Sequence, residues 1–284
     1  MKRKIYLLVG IVIIFLIAII AIYLNNQNNN QTINLSTAPE INNENVTSGT
    51  EKYQNFILDN TLHSKDYGDI HYNVYIPDSY DGSEPYALYM TLPGYQGLYF
   101  QGVGENLKTE EFGFVAPQLD DWQELSANQT IELTEYFLSN YNIDSSRVYA
   151  NGYSGGGETM SIVMGKRPDL FSGYLHCSSK WDGDYQTLVN SETPIYIVIG
   201  ENDEYYGLDS SKQTYQDLYE LYRDKGLSDQ EIDQLLVLDV KDNSYFESQG
   251  ASNQHGQGAH LFAHDKNVMG WLFNQIKGGD EVEK

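Results

Sequence analysis

From residue 51 onward, short apolar runs alternate with stretches of helical period. Ile70–Ile76 alternates apolar and polar positions and predicts an early strand. Tyr86–Leu92, Phe112–Ala116, Val148–Asn151, Gly173–Cys177, Ile195–Ile199 and Leu236–Val240 are compact apolar segments and predict buried strands. Leu133, Tyr136, Phe137 and Tyr141 fall on one helical face, as do Tyr215, Leu218, Tyr219 and Tyr222. Gly226 follows the second stripe as a C-cap, and Ser228 and Glu231 have capping-box spacing. A last helix is predicted near Lys266–Ile276, with Val268, Trp271, Leu272 and Ile276 as its apolar stripe. Strand–helix alternation with unbroken apolar strands implies a mostly parallel sheet covered by helices on both faces, an α/β fold. In such folds chemistry collects at the carboxyl ends of the strands.

A different pattern precedes this one. Lys2-Arg3-Lys4 lead into an uncharged apolar run, Ile5 to Leu24. A helix of that length spans roughly 30 Å, the thickness of bilayer hydrocarbon. The basic residues belong on the cytoplasmic side, so the remainder is expected outside. The run is longer than the apolar part of a cleaved signal peptide, and Ala18 and Ala21 have the wrong spacing for a cleavage site. An uncleaved transmembrane signal anchor is therefore the expectation for 1–24, with secretion after cleavage as the alternative. Residues 25–50 hold nine Asn and no Lys or Arg, the composition of a flexible tether. The catalytic-size domain is expected over 51–284.

Charge narrows the choice of partners. The chain has 17 Lys+Arg against 40 Asp+Glu, and all the acidic residues lie beyond Leu24. That argues against nucleic acid, which needs a basic face. A single cysteine, Cys177, excludes an internal disulfide framework and a Cys-based zinc site. His260 and His264 have the i, i+4 spacing of a metal pair, but no third ligand accompanies them, and no metal or cofactor is expected.

The candidate chemistry begins after the predicted strand Val148–Asn151, at Gly152-Tyr153-Ser154-Gly155-Gly156-Gly157. This is G-x-S-x-G between a strand and a helix. A sharp turn there projects a serine hydroxyl above the sheet, and residues two places either side must lack a Cβ. Gly152 and Gly156 meet that need for Ser154. The N–H of Gly155, at the start of the helix, is expected to face an oxyanion. A second donor is expected from the turn Pro93-Gly94-Tyr95-Gln96-Gly97, at the Tyr95 N–H.

A serine needs a base, and the base needs a carboxylate to fix its tautomer. In this topology the chain order is serine, acid, histidine. Strand Ile195–Ile199 runs into Gly200-Glu201-Asn202-Asp203-Glu204. Asp203 is the expected acid, Glu201 the runner-up, and Glu204 a surface charge. His63, His71 and His176 precede the acid; His255, His260 and His264 follow it. His255 is the expected base, carried on a flexible polar loop by Gly256 and Gly258, with His260 as the alternative. Trp122 and Trp181 each follow a strand, as pocket walls or as packing beneath a loop.

The stretch from Tyr141 to Gly157 resembles the nucleophile region of the α/β-hydrolase superfamily. The resemblance is to poly(hydroxybutyrate) depolymerase-like and feruloyl-type esterases and to prolyl-oligopeptidase-like hydrolases. His255-Gly256-Gln257-Gly258 resembles the H-G-x-G around the catalytic histidine of the last group and favours His255. The resemblance covers most of 55–277. In two respects the chain departs from the pattern. Pro93-Gly94 stands where His-Gly is usual at the oxyanion turn, and the chain has no room for the β-propeller of true prolyl oligopeptidases. The resemblance implies a serine hydrolase acting through an acyl-enzyme without a cofactor. A carboxylesterase on a small or polymer-linked ester is preferred, a peptidase comes second, and a non-catalytic surface binder on the same fold is the rival.

Overall fold

The computed structural model describes residues 45–53, 56–94, 112–118, 121 and 123–278. The apolar run Ile5–Leu24, Tyr95 and Trp122 lie outside these. Among the described residues no helix is long and apolar enough to cross a membrane.

The strands are β1 (Val46–Thr47), β2 (Glu51–Tyr53), β3 (Phe56–Ser64), β4 (Gly68–Tyr75), β5 (Tyr86–Leu92), β6 (Phe112–Pro117), β7 (Ile143–Tyr153), β8 (Gly173–Cys177), β9 (Ile195–Gly200) and β10 (Leu236–Lys241). The helices are α1 (Glu124–Asn140), α2 (Gly155–Lys166), α3 (Tyr185–Ser191), α4 (Gly207–Lys225), α5 (Asp229–Leu235), α6 (Asn243–Ser248), α7 (Gln254–His264) and α8 (Lys266–Phe273). The strands form one sheet in the order β1-β3-β4-β6-β5-β7-β8-β9-β10, with β2 also on β3. From β6 to β10 all neighbours are parallel, while β1 to β4 pair antiparallel and β4 joins β6 antiparallel.

The parallel strands read as unbroken apolar runs because both faces are covered. Leu88, Met90 and Leu92 of β5 enter one core with Met160 and Val163 of α2, Phe137 of α1 and Leu218 of α4. Ala87 and Tyr89, on the opposite face, enter a second core with Phe262 of α7 and Val268 and Leu272 of α8. Ile195 and Ile197 against Tyr196 and Val198 divide in the same way on β9.

The C-cap and capping box are where the sequence placed them. Gly226 closes α4 at φ +102°, and Ser228 and Glu231 exchange capping hydrogen bonds at α5. Three expectations need correction. The sheet begins inside the segment assigned to the tether, since Val46 and Thr47 pair with Leu62 and Thr61. The final helix stops at Phe273, short of Ile276, which is exposed. The segment around His255 is not a flexible loop but the first turn of α7, with Asn253 as N-cap.

Strand order sets where chemistry can occur. β5 has β6 on one side and β7 on the other, so the chain reverses its direction of travel across the sheet at this point. The crevice beyond the carboxyl ends of β5 and β7 is the switch-point position where open α/β sheets bind ligands. Pro93-Gly94 leaves β5 there, and Ser154 leaves β7 there.

Candidate active site

Ser154 sits between the end of β7 and the start of α2 with φ 53° and ψ −126°. A non-glycine residue there costs on the order of 1–3 kcal/mol and persists only when its surroundings hold it. Four contacts do so. Its N–H donates to the Cys177 carbonyl at 3.1 Å, and its carbonyl accepts from the N–H groups of Gly157 at 2.8 Å and Glu158 at 3.2 Å. The Ser179 hydroxyl donates to the same carbonyl at 2.6 Å.

The glycines make this turn possible by close approach. A Cβ on Gly156 would lie 2.4 Å from the carbonyl oxygens of both Leu92 and Pro93. One on Gly152 would lie 2.6 Å from the Gly156 oxygen. We expect Gly156→Ala to destabilise the fold by about 1–3 kcal/mol or more, because the obstacle is backbone and cannot rotate away. Gly270→Ala in α8 is the contrasting case. A Cβ there meets nothing within 4 Å, and the helix should gain about 0.5–1 kcal/mol. Urea midpoints of the two variants against wild type check both signs.

Beneath the turn lies a buried polar network. The Tyr174 hydroxyl donates to the Gly157 carbonyl at 3.3 Å and is 2.7 Å from His176 Nδ1. Burial pushes the His176 imidazole down to about 4, against the pull of the Ser179 backbone carbonyl, so it remains neutral near pH 7. Between pH 6.5 and about 4 the unfolded chain takes up a proton that the folded chain refuses. Stability should therefore fall as pH drops through that window. The fall should be shallower in His176→Gln, as measured by urea unfolding at a series of pH values. Burial likewise raises the Cys177 thiol, which leaves it an unreactive packing group.

Above the turn three side chains meet. Ser154 Oγ is 3.0 Å from His255 Nε2, and His255 Nδ1 is 2.9 Å from Asp203 Oδ2. Asp203 lies on the turn after β9, and its other oxygen accepts the N–H groups of Tyr205 at 3.1 Å and Tyr206 at 2.9 Å. Burial opposes the charge on Asp203, but the hydrogen bonds from His255 and from the Tyr206 and Tyr205 backbone outweigh it. The carboxyl is held below its ordinary range. With the imidazole proton on Nδ1, facing that carboxylate, Nε2 presents a lone pair to the serine hydroxyl. Gly155 opens α2, where its N–H has no intrahelical acceptor. Tyr95, expected to supply a second donor, is outside the described residues.

Of the late histidines, only His255 reaches Ser154. His260 is exposed further along α7, its ring 4.3 Å from that of His264. Glu201 is not at the site either; its carboxylate accepts the N–H of Asn243 at 2.7 Å and holds the start of α6. Glu204, read as a surface charge, has a definite task. Its two oxygens accept the N–H groups of Gln254 at 3.0 Å and His255 at 2.8 Å, which fixes the start of α7 to the acid turn. Burial works against its charge, and those two N–H groups bring the net shift below the ordinary value. Trp181 packs beneath a loop, stacked on Tyr185 at 5.3 Å and donating from Nε1 to the Gly183 carbonyl.

Three tyrosines surround the imidazole, and the sequence pattern singled out none of them. Tyr153 and Tyr205 lie nearly parallel to it, with centroids at 5.4 and 5.1 Å, and Tyr206 stands at 5.6 Å and 61°. The Tyr206 hydroxyl donates to Glu158 Oε1 at 2.5 Å. Burial first, and then that carboxylate, raise its pKa, so it stays protonated. Among the described residues no three His, Cys, Asp or Glu side chains gather as a metal site.

The turn at the switch point thus holds a strained serine, with the carboxylate on the turn after β9 and the imidazole on α7. Solved structures similar to this chain in fold include a thermostable esterase, with a TM-score of 0.64 at 20% identity over 78% of this chain and 63% of the esterase. The chain has the α/β-hydrolase fold. A second structure with this hydrolase fold is the feruloyl esterase module of Clostridium thermocellum solved with sinapinate. It has a TM-score of 0.57 at 12% identity over 81% of this chain and 96% of the module. A third is oligopeptidase B of Leishmania major, with a TM-score of 0.52 at 13% identity. The match covers 81% of this chain but 36% of the peptidase, so the hydrolase fold here spans about a third of that enzyme and under two thirds of the esterase. The prolyl oligopeptidase family model matches residues 87–220, from β5 into α4. No curated protein matches the chain.

Proposed function

We propose that this protein is a serine hydrolase that cleaves carboxylic esters, held at the outer face of a membrane by residues 5–24. The observation that carries the chemistry is the 3.0 Å approach of Ser154 Oγ to an imidazole whose far nitrogen is 2.9 Å from a buried carboxylate. In this reading Ser154 Oγ attacks the acyl carbonyl while His255 Nε2 takes its proton. The C–O bond to the alcohol then breaks, and His255 returns the proton to the leaving oxygen. Water, deprotonated by the same imidazole, cleaves the acyl-enzyme and releases the acid. The Gly155 N–H, with the Tyr95 N–H as its partner, stabilises the tetrahedral oxyanion, a contribution of about 2.7–4 kcal/mol for each donor. No cofactor takes part. The apolar run, its basic start and the Asn-rich stretch after it support the anchored, external placement.

Peptide hydrolysis is the second reading, favoured by the prolyl oligopeptidase family match. Two measurements on the full-length protein separate the possibilities. A fluorophosphonate probe should label wild type and leave Ser154→Ala unlabelled; a folded wild type that resists labelling removes both enzymatic readings. Turnover of short p-nitrophenyl esters far above that of peptide p-nitroanilides supports the esterase, and the reverse order supports the peptidase.

A further inference from the structure

We infer that Tyr205 forms the floor of the alcohol subsite, where its ring takes the flat face of a neutral, ring-bearing leaving group. This inference rests on the esterase reading and names the part of the substrate that the site selects. Tyr205 is 72% exposed, the most exposed of the large apolar side chains among the described residues. It is nevertheless fixed in place. Its N–H is pinned to Asp203 Oδ1, its ring stacks on His255 at 27°, and its edge meets Tyr206 at 4.7 Å. An aromatic face held rigid before binding loses little freedom when a ligand covers it.

The geometry of proton return decides which end of the ester meets this ring. His255 Nε2 hands the proton to the leaving oxygen, so the alcohol must lie beside the imidazole. Tyr205 is the exposed ring that continues the imidazole surface outward. In this pose the carbonyl oxygen of the ester faces the Gly155 N–H. Charge then narrows the class. The turn that carries Tyr205 also carries Glu201, Asp203 and Glu204. The nearby Lys180 ammonium is already answered by Asp182 at 3.1 Å and Glu158 at 3.9 Å. An anionic alcohol would be repelled by the acidic turn. A neutral ring, aryl or sugar, offers the tyrosine an apolar face without that repulsion.

The test uses full-length protein and three acetates that share one acyl group: phenyl acetate, an O-acetylated methyl glycoside and ethyl acetate. The readout is the ratio of kcat/KM between wild type and variant for each ester, in which intrinsic leaving-group reactivity cancels. Tyr205→Ala should lower kcat/KM roughly three- to tenfold on the ring-bearing esters and less than about twofold on ethyl acetate. Tyr205→Phe keeps the ring and should restore most of the loss that Tyr205→Ala shows on the ring-bearing esters. A loss confined to the phenyl or to the glycoside arm also supports the subsite and identifies the ring it prefers. An equal loss on all three esters overturns the inference, since the ring would then serve only the imidazole. No loss on any ester overturns it too. Failure of the underlying reading looks different: wild type would hydrolyse none of the three and resist the fluorophosphonate probe.

Discussion

Ser154→Ala should lose ester hydrolysis by a factor on the order of a million while remaining folded. The alanine keeps the backbone and removes the one atom placed 3.0 Å from His255 Nε2. The Gly155 N–H and the crevice remain, so the residual rate should exceed that of water alone. The backbone supplies a control. At φ 53° a β-carbon is strained, and glycine is not. Ser154→Gly should therefore be equally inactive but more stable than Ser154→Ala by about 1 kcal/mol. Initial rates on p-nitrophenyl acetate, paired with urea midpoints, test both statements. Hydrolysis by Ser154→Ala within tenfold of wild type would remove Ser154 as the nucleophile.

Asp203→Asn is the second large effect, a fall in kcat of about 10⁴-fold. The substitution is close to isosteric, and the amide oxygen can still accept the Tyr205 and Tyr206 N–H groups, so the turn should survive. What changes is the face toward His255 Nδ1. An amide N–H₂ there forces the imidazole to carry its proton on Nε2, where it can no longer accept from Ser154. The same carboxylate ties activity to acid stability. Its pKa is lowered in the folded state, so its contribution is complete above the ordinary carboxylate range and is lost as pH falls through the lower folded value. Stability of wild type should drop below about pH 4 from this group, and Asp203→Asn should flatten that part of the curve. Circular dichroism during acid titration reads the difference.

The sequence reveals the parallel half of this fold well, because strands covered on both faces must be apolar throughout. Tyr86–Leu92 and Gly173–Cys177 are read to the residue. The antiparallel edge is less visible. β3 carries Asp59, Asn60 and Thr61 in its middle, and Asn60 is buried only because the Ile57 and Tyr72 carbonyls and the Gly49 N–H satisfy its amide. No hydrophobic pattern announces a strand held in that way. α7 was hidden for another reason. Gly256 and Gly258 have poor helix propensity, yet Phe262 and Ala263 pack against the sheet and outweigh it. The reading of Ser154, Asp203 and His255 needed only residue type, spacing and chain order. Glu204, Tyr205 and Tyr206 act through contacts between turns about fifty residues apart, and Tyr153 through one about a hundred residues apart, and no local pattern records such contacts.

The site is assembled from the ends of β7 and β9 and from α7, the second helix after β10. During synthesis the serine emerges from the ribosome about a hundred residues before its base, and the sheet that must carry α7 is completed only by the last strand. A nascent chain, or one cut before residue 255, holds a strained hydroxyl with no proton acceptor. In the proposed mechanism hydrolysis therefore waits until α7 has been made and docked on the sheet, and a product truncated before it is inert rather than unselective.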